Sequence, residues 1–373
     1  MIPTLRFSFV LSIILLTANA RALPDLFTDP DDGMFDISQF LLDYPLGVLP
    51  VPVIVTEPAI GEGAGVAALF FHDNDQQQSS TPSQEEVPPS VSALVGIYTN
   101  KDSWIVGGGH IGHYKNDDLR YVGALGAASL NLDFYGVGKD SDAGLSFNIK
   151  AKLISQEVLF RLGSSNWFLG ADYTFATLVN KFDLEIPGIP PLELESNNAS
   201  ASAVVLYDSL DNTYSPNRGL KIKWEYAFFN EAVGGDFDYQ QLNARNQVHV
   251  PLTKHFILGL RLDGQFADGE VPFYAAPYID MKGIPAMRYQ DLNVLNGEAR
   301  LTWLATQRWH FNVFSGGGWA AENFDEIFDS SPKNAYGIGM RYLAAKAIGL
   351  STGFDIAKGP EDTVFYLGFG RNF

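Results

Sequence analysis

Ile284-Pro285-Ala286-Met287-Arg288-Tyr289-Gln290-Asp291 closes a segment, residues 271–291, that is too aromatic, too rich in proline and too long for an ordinary turn. The chain alternates on both sides of it. Before it, Phe256, Leu258, Leu260 and Leu262 share one parity, with Arg261, Asp263 and Gln265 on the other. After it, Leu295, Ala299, Leu301 and Trp303 oppose Asn296, Glu298, Arg300 and Thr302. Period-two alternation sends successive side chains to opposite faces of a strand. This is therefore a long loop between two strands, and an arginine near its centre predicts that it folds back onto the protein.

The same alternation governs the chain from about residue 60 to its end, where helical periodicity is absent and turn signals separate the runs. The pattern predicts strands over 60–72, 91–99, 103–114, 118–130, 143–152, 155–163, 166–178, 199–209, 219–230, 237–250, 255–267, 294–305, 309–321, 335–345, 348–357 and 363–373, about sixteen in all. Over 219–230, Leu220, Ile222, Trp224, Tyr226 and Phe228 oppose Lys221, Lys223 and Glu225. One aromatic face and one charged face sustained over so many strands is the mark of a barrel with lipid outside and water inside. Closure is what lets strand backbones sit in hydrocarbon without unpaired edges.

The links sort by length. Residues 73–90, 179–198, 267–294 and 322–334 are long, whereas 100–102 and 163–165 are short. Long loops on one side and short turns on the other is the outer-membrane pattern, with 131–142 and 210–218 as exceptions on the short side, and an even strand number puts both ends in the periplasm. The last strand ends on Phe373, with Phe365, Leu367 and Phe369 of the same parity; a terminal aromatic is similar to the signal read by outer-membrane insertion machinery.

Composition narrows the rest. The 373 residues are 46% hydrophobic and 13% aromatic, with 36 Gly and no Cys, and the net charge of −18, with no basic patch visible, disfavours a nucleic-acid partner. Residues 1–22 read as a signal peptide, with Arg6, an apolar run over 7–16 and a small-residue cleavage pattern around Ala18-Asn19-Ala20. Residues 23–58 read as an acidic, proline-containing segment that either plugs the lumen or lies along the periplasmic rim, and 59–373 as the barrel. Pro50, Pro52 and Pro58 make 48–58 extended but a poor ladder member.

No cofactor, metal or catalytic role is expected. Asp29-Pro30-Asp31-Asp32-Gly33 fails the EF-hand pattern, because Thr28 and Pro30 stand where acidic ligands belong. Gly349-Leu350-Ser351-Thr352-Gly353 matches G-x-S-x-G but lies within a strand, not on the strand–turn–helix elbow that a nucleophile needs. His110 and His113 are three apart on a strand and point to opposite faces. Arg245, Arg261, Asp263, Glu298, Arg300, Arg341 and Asp355 read as paired lumenal charges.

These residues resemble the bacterial surface antigen domain, the sixteen-stranded barrel of BamA/TamA-type outer-membrane assembly factors. The likeness rests on Asp208, Asp211, Pro216 and Gly219 in the turn between strands 8 and 9, on Arg288-Tyr289 in the sixth outer loop, and on the closing hairpins around Gly337, Phe354 and Phe365. The family's loop motif is Arg-Gly-Tyr/Phe, so the glycine after Arg288 is missing. The resemblance implies that Arg288 reaches into the lumen toward Glu298, and that Ser315 stands where strand 13 would offer an acid. Nothing before residue 48 reads as a POTRA delivery domain. The resemblance implies a protein of a Gram-negative outer membrane, in contact with its lipids and with the outer-membrane assembly machinery. It would serve in assembly, protein insertion or lipid homeostasis, acting through a weakly closed seam between strands 1 and 16. A sixteen-stranded diffusion porin, or an outer-membrane hydrolase built on Ser351, are the competing readings.

Overall fold

The computed structural model describes residues 27–43, 48–72, 87, 89–136, 144–182 and 192–370. The signal-peptide reading of 1–22 and the terminal Phe373 lie outside them. Sixteen strands form one antiparallel meander in chain order: β1 (Val48–Val55), β2 (Gly63–His72), β3 (Ser90–Thr99), β4 (Trp104–Tyr114), β5 (Leu119–Phe134), β6 (Leu145–Arg161), β7 (Trp167–Phe182), β8 (Leu192–Asp208), β9 (Gly219–Phe229), β10 (Tyr239–Pro251), β11 (Phe256–Gly269), β12 (Asn293–Leu304), β13 (Trp309–Ala321), β14 (Lys333–Ala345), β15 (Leu350–Lys358) and β16 (Thr363–Phe369). A short helix, α1 (Ser38–Asp43), precedes them. Among the described residues no helix is long and apolar enough to cross a membrane.

The expected alternation sets the two faces. Trp224, Tyr226, Phe228, Leu260, Leu262 and Trp303 stand exposed on the outer wall, while Asp263, Glu298, Arg300, Arg341 and Asp355 are buried inside. The lumenal charges pair locally, as Arg261–Asp263 at 2.6 Å, Arg300–Glu298 at 2.9 Å and Arg341–Asp355 at 2.6 Å.

The strand count agrees with the sequence reading through two differences that cancel. Residues 48–55, expected to lie outside the ladder, are a barrel strand in full register with β2, from Val48 opposite Phe70 to Val55 opposite Gly63. The barrel therefore begins at Val48, not at 59. Conversely, 143–152 and 155–163 are one strand, β6, seventeen residues long. The corrected order also changes the loop sides. Links after odd-numbered strands include 135–144 and 270–292, so the first is no exception to the long side, whereas 73–89 falls among the short turns.

Pro50 and Pro52 explain why β1 can sit only at an edge. Two residues apart, they turn their donor-less nitrogens to the same side, and the ladder to β2 runs through both. A sheet tolerates proline where the missing N–H faces away from the partner strand. That free side is where β16 would have to pair. Among the described residues no ladder joins β1 to β16. In this cysteine-free chain, Val51→Cys with Ala67→Cys, which face each other across β1 and β2, should cross-link on oxidation of the refolded protein; an N-terminal segment lying free in the lumen would give no such bond.

Candidate functional site

The unzipped seam leaves a visible gap. At its outer end a cleft of about 630 Å³ opens between Thr56, Pro58 and Glu62 on one side and Asp362, Thr363, Val364 and Phe365 on the other. What spans it is the loop that the sequence singled out, residues 270–292.

The loop is folded inward and internally paired. Tyr278 and Gln290 form an isolated bridge, the Ile279 amide donates to Tyr289 O at 3.0 Å, and the buried Gln290 amide donates to Phe273 O at 3.0 Å. Its aromatic content is used against the wall. Phe273 packs on Phe134, Phe147 and Phe182 with ring centroids 5.0, 5.3 and 5.5 Å apart. Such pairs are worth roughly 0.5–1.5 kcal/mol each beyond their buried area. Met287 joins this cluster, while Ile279, Met281, Ile284 and Tyr289 form a second one with Val294 and Ala335.

The tip of the loop holds both ends of the seam. The Ala286 amide donates to Glu57 Oε1 at 3.0 Å in the β1–β2 link. Two residues later, Arg288 Nε lies 3.1 Å from Glu361 Oε1 in the β15–β16 link, and Tyr289 OH donates to the same carboxylate. The Arg288 guanidinium also lies over the Tyr135 and Tyr289 rings, at 4.4 and 4.6 Å. Arg288 and Tyr289 thus come together as expected, but on a different acid. Glu298 instead takes Arg300, two residues along the same lumenal face. The register explains the change: Glu298 lies opposite Arg261 and Gly316 in mid-wall, whereas Arg288 reaches the outer rim.

The mid-lumen position is filled by a residue that the sequence reading missed. Lys282 Nζ is 2.6 Å from Asp355 Oδ2, which also receives Arg341 at 2.6 Å, and the lysine sits 5.7 Å above the Phe314 ring. Gly283 follows it with φ +92, and a Cβ there would stand 2.9 Å from the Gly359 amide nitrogen. Its own amide donates to Tyr366 OH on β16 at 2.9 Å. A cation directly followed by glycine was the signal, six residues upstream of Arg288.

The N-terminal segment closes the other mouth, among the short turns. Arg308, between β12 and β13, donates through Nε to Asp32 at 2.7 Å, through Nη2 to Asp29 at 2.6 Å, and through Nη1 to Asp36. One planar guanidinium thus serves three carboxylates. Hydrogen bonds from Lys346 and from Arg308 hold the Asp29 and Asp32 carboxyls below the usual range; for Asp36, burial opposes this, but Ser38 and Arg308 outweigh it. The segment therefore loosens as pH falls through the carboxylate range, not as it rises. Ile37 and Phe40 pack against Phe71 of β2 and Ala345 at the end of β14, in a cluster with Leu69, Val91, Ile348 and Leu350. The stretch once compared with a calcium loop thus spends its acids on arginine and lysine.

The β8–β9 turn also crosses the barrel floor. Its Asp211 Oδ1 accepts from the Asn217 amide at 2.9 Å, Asp208 pairs with Arg120 at 2.7 Å, Pro216 is fully buried, and Gly219 has φ +115 with no room for a Cβ beside Ser209 O. Asn212 Nδ2 reaches Ile348 O at 3.2 Å, and Ser215 hydrogen-bonds the fully buried Ser351 within β15. That turn is long because it has a span to cover, and Ser351 is a tie in it.

Residues 127–280 match the Omp85 superfamily domain. The fold resembles BamA from Haemophilus ducreyi lacking POTRA domains 1–3, at 15% identity and TM-score 0.56, covering 87% of this chain and 70% of that one. It also resembles CdiB from Acinetobacter baumannii, at 9% identity and TM-score 0.55, and CdiB from Escherichia coli, at 10% and 0.56. Here 86% and 85% of this chain are covered, which spans 59% and 61% of the two CdiB chains. No curated protein matches the sequence.

Burial first, and then Arg300, push the Lys282 amine down to about 8, against the pull of Asp355. Between that value and its ordinary one the unfolded chain holds a proton that the folded chain lacks, so stability rises with pH across this window, by up to about 3 kcal/mol. Urea midpoints from pH 7.5 to 10 should climb in the wild type and flatten in Lys282→Met; equal slopes in the two would refute the assignment.

Proposed function

We propose that this Omp85-type barrel, of the BamA/TamA kind, is an outer-membrane assembly factor that works at its β1–β16 seam. The observation that carries this is an edge strand with two prolines to which, among the described residues, no ladder joins β16, bridged by a loop tip anchored on Glu57 and Glu361. An unpaired edge is a template for another strand. A client segment could add to β16 by ordinary ladder hydrogen bonds, and breaking three or so polar contacts at the loop tip would widen the gap. The wall, apolar outside, then leads laterally into lipid.

A diffusion porin fits less well. The inward loop carries two aromatic and aliphatic clusters across the outer half of the lumen, and the N-terminal segment and the 209–218 turn cross the inner mouth. An aqueous pore of this strand number ordinarily keeps that space open.

Thr56→Cys with Thr363→Cys, which line opposite sides of the seam cleft, supplies the test. In lipid vesicles, the reduced double variant should speed insertion of a urea-unfolded eight-stranded outer-membrane protein, and oxidation should abolish that effect reversibly. Equal rates in both states, or large and stable conductance steps in planar bilayers, would contradict the proposal.

A further inference from the structure

Three neighbouring strands reverse their alternation at one level. Leu125, Ile154 and Phe175 are register partners on the outer faces of β5, β6 and β7, and the next outward row toward the long loops is Ala127, Lys152 and Thr177. The row beyond that holds Ser129, Lys150 and Val179. Inside, the change runs the other way: Glu157 is buried below this level, whereas Phe147 and Ile149 pack on the inward loop above it. A strand that is apolar outside and polar inside, and then the reverse, is leaving the membrane at the point of reversal. The length agrees, since Lys152 stands nine residues from Arg161 at the short-turn end of β6, and a tilted strand needs about 9–11 to cross.

Both lysines are exposed, and among the described residues neither has an ion-pair or hydrogen-bond partner. Their cationic neighbours differ. Lys101 donates to Pro58 O at 3.0 Å, and Lys181 pairs with Glu193 at 3.4 Å. Glu195 lies two strands away, beyond Val179. Two ammonium groups, unpaired among the described residues, thus stand on the outward face of a protein of net charge −18, at the level where the apolar band ends.

We propose that Lys150 and Lys152 bind a phosphate of lipopolysaccharide in the outer leaflet. This rests on the outer-membrane orientation and not on the assembly role. Phospholipid headgroups of the inner leaflet lie at the opposite rim, and the paired lysines sit on the long-loop side. Each ammonium is a compact donor suited to a phosphate oxygen, and two on one strand, two residues apart, stand on the same face.

The full chain, purified in zwitterionic detergent, is incubated separately with lipopolysaccharide, with dephosphorylated lipopolysaccharide and with phosphatidylglycerol, and retained lipid is measured by native mass spectrometry. Wild type should retain the phosphorylated form, and Lys150→Gln/Lys152→Gln should bind it roughly tenfold or more weakly. Lys181→Gln, which removes a paired charge, should match wild type. Equal retention by wild type and the double variant, or equal binding of the dephosphorylated form, overturns the proposal. Preference for phosphatidylglycerol overturns the choice of lipopolysaccharide.

Discussion

A barrel must close, and among the described residues this one has a seam without a ladder. Pro50 and Pro52 leave β1 two donors short, and among the described residues no ladder joins it to β16. The rest of the architecture follows from having to hold that seam by other means. The loop tip ties Glu57 to Glu361 at the outer rim. Lys282 and Gly283 fix the same loop to β15 and β16 at mid-depth. The N-terminal helix and the 209–218 turn brace β14–β15 from the inner mouth. Closure is moved from a backbone ladder, which is cooperative, to side-chain contacts, which can be released one at a time.

This distribution of contacts also sets where the molecule can open. Strands β5 to β8 are the longest and lie far from the seam, and their extra length above the membrane level is packed by the aromatic part of the loop. The loop therefore has a deep anchor on one side of the barrel and a polar clasp on the other. Apolar packing gives way all at once, whereas a carboxylate that accepts an amide or a guanidinium can exchange it for water at modest cost. Movement should start at the clasp.

The sequence carried most of this, with losses that have physical causes. Alternation located the wall and its two faces, because lipid and water impose opposite demands on every strand. It failed at β6, where Lys150, Lys152 and Ile154 share a face. A strand that outlasts the membrane inverts its pattern, and this looks like a chain break. It failed at β1, since proline argues against a strand everywhere except at an edge. Arg288 was correctly sent inward, but an ion pair depends on height along the barrel, which alternation does not encode. Lys282 had no signal in the alternation, because it lies within the loop and its pairing with Asp355 depends on how the loop folds into the lumen. The floor-crossing role of Ser215 and Ser351 had no local signal, since their contact joins residues far apart in the chain.

The central claim is that the loop clasp, and not a β1–β16 ladder, keeps the seam together. Spin labels at Val66→Cys and Ile356→Cys, both exposed on the outer wall and on opposite sides of the seam, allow its width to be measured by pulsed electron paramagnetic resonance. The account predicts one narrow distance distribution in the otherwise wild-type barrel, and a broadened one with a longer component when Glu57→Ala and Glu361→Ala are added. Superimposable distributions would mean that the seam is held elsewhere.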